Sequence, residues 1–146
     1  MTTICREQKL FGLEEARSTL PLVSRIVRDI VEKTERMKEA YLEIRQEAED
    51  EAAIERLEEL QDRLHDLADE RAGFVEELSS LGVELKDPNI GLVDFPARLE
   101  DRVVYLCWKL GEETIDHWHE LTSGFSGREP VEGSFEAAPA VNSSEA

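Results

Sequence analysis

Cys107, His117 and His119 are the side chains of this sequence best suited to hold a metal or begin a nucleophilic dyad. All three lie in one stretch, VVYLCWKLGEETIDHWHE, from Val103 to Glu120. The two histidines are two apart, so in a strand they share a face. Where Cys107 points depends on the turn between them. A two-residue turn at Gly111-Glu112 sets Cys107 beside Asp116, on the face of Trp118. A three-residue turn sets Cys107 opposite His117 and Tyr105 opposite His119. Only the second gathers thiol and imidazoles, and it offers three ligands where a structural zinc takes four. The sequence has no CxxC and no HExxH. The plainer reading is a β-hairpin held by cross-strand aromatics. A third is an organic ligand gripped by Trp108, Trp118 and a histidine.

Other chemistries have weaker signals. A mid-strand cysteine is commonly a small buried hydrophobe rather than a nucleophile. Ser123 and Ser126 lie near GFSGR, without the GxSxG turn of a serine hydrolase. Asp94, Glu112, Glu113 and Asp116 are carboxylates suited to acid–base work, although in so acidic a sequence their proximity means little. In Gly124–Arg128 two glycines free the backbone beside a cation, which suits an anion clamp. The ordinary alternative is a loop whose Phe125 fills the core.

The elements around these residues change character at Gly82. Before it, Leu20, Val23, Val27, Ile30, Thr34, Met37, Tyr41, Ile44 and Ala48 step by three and four. A second stripe follows through Leu57, Leu60, Leu64, Leu67, Arg71, Phe74, Leu78 and Leu81. Two heptad seams predict an antiparallel coiled-coil hairpin over residues 13–81, or the same seam exchanged between two chains. Pro21 suits a first helical turn, or a kink after a short helix. Gly82 suits a C-terminal cap, and Arg71 is expected to snorkel towards an acid. The stretch joining the stripes is acidic, with Glu47, Glu49, Asp50, Glu51, Glu55, Glu58 and Glu59 against Arg56.

After Gly82, residues 83–125 read as an antiparallel sheet of three to four strands: Val83–Leu85, Leu92–Pro96 ended or edged by its proline, Arg102–Leu110 and Ile115–Leu121. Gln8–Phe11 is a possible extra edge. The fold class is therefore α+β, a single domain over residues 1–128. Residues 129–146, rich in Ala, Pro, Ser and Glu, read as a disordered tail.

Charge narrows the partners. Lys and Arg number 17 against 34 Asp and Glu, a net charge of −17. That balance disfavours nucleic acid and anionic membranes and favours a basic protein partner. No apolar run approaches a membrane span, and MTTICREQK has no signal-peptide core. A cytoplasmic location is expected, with Cys5 and Cys107 as free thiols.

The ordered motifs FGLEEARSTLPLV, GVELKD, GLVDFPA, YLCWKLGE, WHE and GFSGREP resemble a prokaryotic family catalogued as domain of unknown function 2203. The resemblance spans roughly Leu10 to Pro130. It implies a small cytosolic protein with this helical region and sheet, and it carries no particular activity over to this sequence. Its signature falls on Asp94, Phe95, Pro96, Tyr105, Cys107, Trp108, Gly111, Glu112, Trp118, His119, Gly124, Phe125, Gly127 and Arg128. Gly12 stands where a capping Thr is expected, and His117 where an aromatic is more usual, which makes His117 look incidental. The ligand-binding candidates are accordingly Asp94, Tyr105, Cys107, Trp108, Glu112, Trp118, His119 and Arg128, with the metal and any cofactor left unknown. The leading expectation is a non-enzymatic interaction or regulatory module, monomer or homodimer, presenting its acidic hairpin to a protein partner. The rival is a small-ligand or metal-dependent enzyme using the face around His119, Tyr105, Glu112 and Arg128.

Overall fold

The computed structural model describes residues 9–132 and Phe135. A short helix α1 (Leu13–Ser18) leads into α2 (Leu20–Glu47), and α3 (Ile54–Ser80) returns antiparallel to it within the same chain. At about 1.5 Å per residue each long arm reaches about 40 Å. Pro21 occupies the first turn of α2, where no N–H partner is needed. The turn between the arms has neither glycine nor proline. Asp50 makes it instead, its carboxylate accepting from the Ala52 N–H at 3.0 Å ahead of the single 3₁₀ turn Glu51–Ala53.

The seam runs as expected near the sheet and departs from expectation near the tip. Leu20, Val23, Val27, Ile30 and Thr34 are buried against α3, which buries Leu60, Leu67 and Leu78. Further out Ala40 takes the buried position and Tyr41 is 53% exposed. An α-helix turns by 3.6 residues, so a strict heptad drifts off the contact line unless the pair supercoils. Among the described residues Arg71 pairs with no acid: its Nη1 donates to the Thr34 hydroxyl at 3.0 Å, while Thr34 donates to the Ile30 carbonyl. Gly82, at φ 91°, closes α3. Its N–H bonds the Ser79 carbonyl and that of Val83 bonds Leu78, a Schellman cap.

The sheet has five antiparallel strands in sequence order: β1 (Glu84–Asp87), β2 (Leu92–Leu99), β3 (Arg102–Lys109), β4 (His117–His119) and β5 (Glu129–Pro130). That exceeds the three to four strands expected, and two further differences follow physical rules. Of the two placements expected of Pro96, at a strand end or at an edge, it takes the edge, within β2. Beyond Asp94 strand β1 no longer pairs with β2, so no ladder bond is lost, and the Pro96 carbonyl accepts from the Phe11 N–H at 2.7 Å. Phe11 forms only an isolated parallel bridge to Ala97, and Gln8 lies outside the described residues. The predicted tail begins instead with β5, followed by buried Val131 and Phe135, the latter edge-on to Trp118. The rest of that segment lies outside the described residues.

One core joins the two halves. Phe95, Ala97, Val104, Leu106, Trp108 and Trp118 from the sheet pack with Val23, Ile26, Val27, Ile30 and Leu78 of the hairpin. Among the described residues, no helix is long and apolar enough to cross a membrane.

Candidate functional site

Alternation along each strand puts Val93, Phe95, Leu106, Trp108 and Trp118 into that core. Asp94, Tyr105, Cys107, His117 and His119 are thereby turned to the opposite face. The register is Cys107 opposite His117 and Tyr105 opposite His119. Thiol and imidazoles therefore do share a face, as the longer turn required. The connection is not a tight one, since it occupies residues 110–116. It is tethered through Ile115, whose side chain is in the core and whose carbonyl accepts twice from Arg17.

The side chains that converge are not Cys107, His117 and His119, however. Asp94 from β2, Cys107 from β3 and His119 from β4 each offer one ligand atom, all within 4.8 Å of one another, and all three residues are buried. His117 is drawn aside: its Nδ1 accepts from Arg128 Nη2 at 2.9 Å. Arg128 also donates from Nη2 to both carboxylate oxygens of Glu112, at 2.8 and 3.0 Å. Glu112 in turn accepts from the Lys109 N–H, and its carbonyl accepts from Trp108 Nε1. Arg128 thus braces the loop and stacks over Phe125 at 4.6 Å. Phe125 does not fill the core, being 39% exposed.

His119 is held so that its chemistry is constrained. Its Nδ1 lies 2.7 Å from the Glu120 carbonyl, which can only accept, so Nδ1 carries the hydrogen. Its Nε2 then faces both carboxylate oxygens of Asp94, at 3.0 and 3.1 Å. A lone pair facing a carboxylate needs a proton or another cation between them. Burial pushes the Asp94 carboxyl above the ordinary range, against the pull of His119 and Lys86. Burial, then the Asp94 charge, push the Cys107 thiol up to about 12, with Arg128 opposing.

Tyr105 borders the cluster, its ring 5.4 Å from that of His119. Its hydroxyl donates to Glu84 at 2.9 Å, and Lys86 lies over its ring. Burial and the Glu84 charge hold that hydroxyl above its usual pKa.

Of the residues expected to bind a ligand, Asp94, Tyr105, Cys107 and His119 are brought together, with Glu112 and Arg128 beside them. Trp108 and Trp118 are not, because both belong to the core on the other face. An aromatic grip on a ligand by the two tryptophans and a histidine is thereby ruled out. The role of Asp94 as third member of the cluster escaped the grouping by spacing. Its signal was a carboxylate in mid-strand, in LVDFPA, where a strand packed on both faces has no solvent for it.

No curated protein and no solved structure matches this chain. A family model described as "Uncharacterized conserved protein (DUF2203)" matches residues 9–131, which takes in the hairpin, the whole sheet and each member of the Asp94–Cys107–His119 cluster, and the chain belongs to that family.

Proposed function

We propose that this protein binds a small ligand or ion at the outer face of its sheet, at Asp94, Cys107 and His119. One observation carries the reading. Three polar side chains from three successive strands are buried together on the face turned away from the apolar core. Burying such groups costs free energy that apolar residues would not. A cluster kept for folding should lose stability when replaced, and a cluster kept for binding should not. The test is a triple replacement, Asp94→Leu with Cys107→Val and His119→Phe, compared with the unaltered protein by denaturant unfolding. Equal stability, or a gain of about 1–4 kcal/mol, is expected. A loss above about 3 kcal/mol would make the cluster a structural element.

A second reading concerns the arm and is compatible with the first. Tyr41, Leu42 and Ile54 are 53%, 57% and 63% exposed near its far end, amid the acidic residues of the turn. Apolar contacts ringed by like charge suit a protein partner with a basic rim. Reversing Glu49 and Glu51 to Lys, with the turn-forming Asp50 left in place, should abolish capture of such a partner in crosslinking pulldowns while the melting temperature holds. Unchanged capture would dismiss the arm as the docking element.

A further inference from the structure

We infer that the ligand of the sheet face is a divalent zinc-type ion, held by the Asp94 carboxylate, the Cys107 sulfur and the His119 Nε2. This rests on the sheet-face reading and specifies its ligand. The first support is the orientation of His119. A metal-ligating imidazole characteristically gives its other N–H to a carbonyl or carboxylate, which fixes the tautomer and aims the free lone pair. Here Nδ1–H donates to the Glu120 carbonyl at 2.7 Å, and Nε2 is the atom aimed at Asp94.

Spacing is the second. With bonds of about 2.0 Å to N and O and 2.3 Å to S, a tetrahedral ion holds its ligands about 3.3–3.6 Å apart. The Nε2–carboxylate separations are 3.0 and 3.1 Å, and the sulfur lies within 4.8 Å of both partners. Modest side-chain rotation closes that set on an ion. The donors come from three adjacent paired strands, so the backbone holds them in place whether or not the ion is bound.

Donor type and charge are the third. A mixed sulfur, nitrogen and oxygen set suits zinc, which accepts all three, better than magnesium or calcium, which take oxygen alone. Carboxylate, thiolate and neutral imidazole carry two negative charges, which a divalent cation cancels, leaving a buried site with no net charge. Binding would proceed with the Cys107 S–H giving its proton to solvent, together with the proton shared by Asp94 and His119. Each ion bound therefore releases two protons. Three protein ligands leave a fourth position for water or a small anion, the count of catalytic rather than structural zinc.

The probe is cobalt(II), which reports its own ligands, added to the full-length protein carrying Cys5→Ser so that only one thiol remains. One cobalt per chain is expected, with visible bands of a four-coordinate ion and a near-ultraviolet sulfur-to-cobalt band. Zinc should bleach both, and calorimetry in buffers of different ionisation enthalpy should count two protons per zinc. Adding Cys107→Ala should remove the sulfur band, and His119→Gln should weaken zinc by about 100-fold or more, beyond the loss usual for outer-shell changes. If Cys107→Ala does not fold, Cys107→Ser serves in its place. No bands at millimolar cobalt, or a sulfur band that survives loss of Cys107, would overturn the inference. No metal uptake together with a stable triple replacement would leave the sheet face a binding site for something else. No uptake with a destabilised triple replacement would remove both readings.

Discussion

The Cys107 thiol is buried on β3 beside Asp94, and its pKa is pushed from an ordinary 9.0 to about 12. The sign of the consequence follows from linkage. Above pH 9 the unfolded chain gives up this proton and the folded chain keeps it, so the native state binds more protons. Stability then falls as pH rises from about 9 towards 12, by about 1 kcal/mol per pH unit, and this contribution is absent below pH 9. Unfolding free energies measured from pH 8 to 11 should show that slope in the metal-free protein, and a Cys107→Ser variant should lack it. Equal slopes would mean that the thiol reaches water in the folded state. Asp94 is shifted in the same sense, its carboxyl raised by burial.

At the scale of elements, the β2–β3 hairpin holds a cost that the sequence does not advertise. Leu99 pairs with Arg102, so Glu100 and Asp101 alone make the turn, and Glu100 sits at φ 58°. A side chain in that left-handed region costs about 1 kcal/mol relative to glycine. Glu100→Gly should therefore raise stability by about 1 kcal/mol, read as a higher denaturation midpoint with an unchanged m-value. A lower midpoint would show that the Glu100 side chain, which is near Arg102 at 3.7 Å, contributes more than the backbone strain removes. The hairpin helices were legible beforehand because their signals are local: three-four spacing and a glycine after the last helical turn. Ala40 in place of Tyr41 was not, since it depends on how two helices rotate against each other over many turns.

For the molecule as a whole, Gly91 is the joint between sheet and hairpin. At φ 72° it lies so close to both that an added Cβ would come within 2.8 Å of Leu110 Cβ and 2.9 Å of Val27 Cγ1. Leu110 also donates its N–H to the Gly91 carbonyl. Gly91→Ala should cost about 1–3 kcal/mol through overpacking and backbone strain. Because the two halves share one core, helix unfolding by far-ultraviolet circular dichroism and sheet unfolding by fluorescence of Trp108 and Trp118 should move together. A helix transition that stays in place would mean the hairpin folds without the sheet.

The primary structure was enough to establish the α+β class, the long helical pair, the acidic turn and the family, because each is written in neighbouring residues or in an ordered run of motifs. It was also enough to put Asp94, Tyr105, Cys107 and His119 among the candidates. Which of them meet was a matter of register and of diagonal reach across strands. Asp94 and His119 are 25 residues apart, on strands that are not neighbours, and meet across the intervening β3. The same packing withdrew Trp108 and Trp118 to the core, gave His117 to Arg128, and drew Val131 and Phe135 into the fold. Contacts of this kind depend on the twist of the sheet and the competition of side chains for one face, and no spacing rule along a single strand contains them.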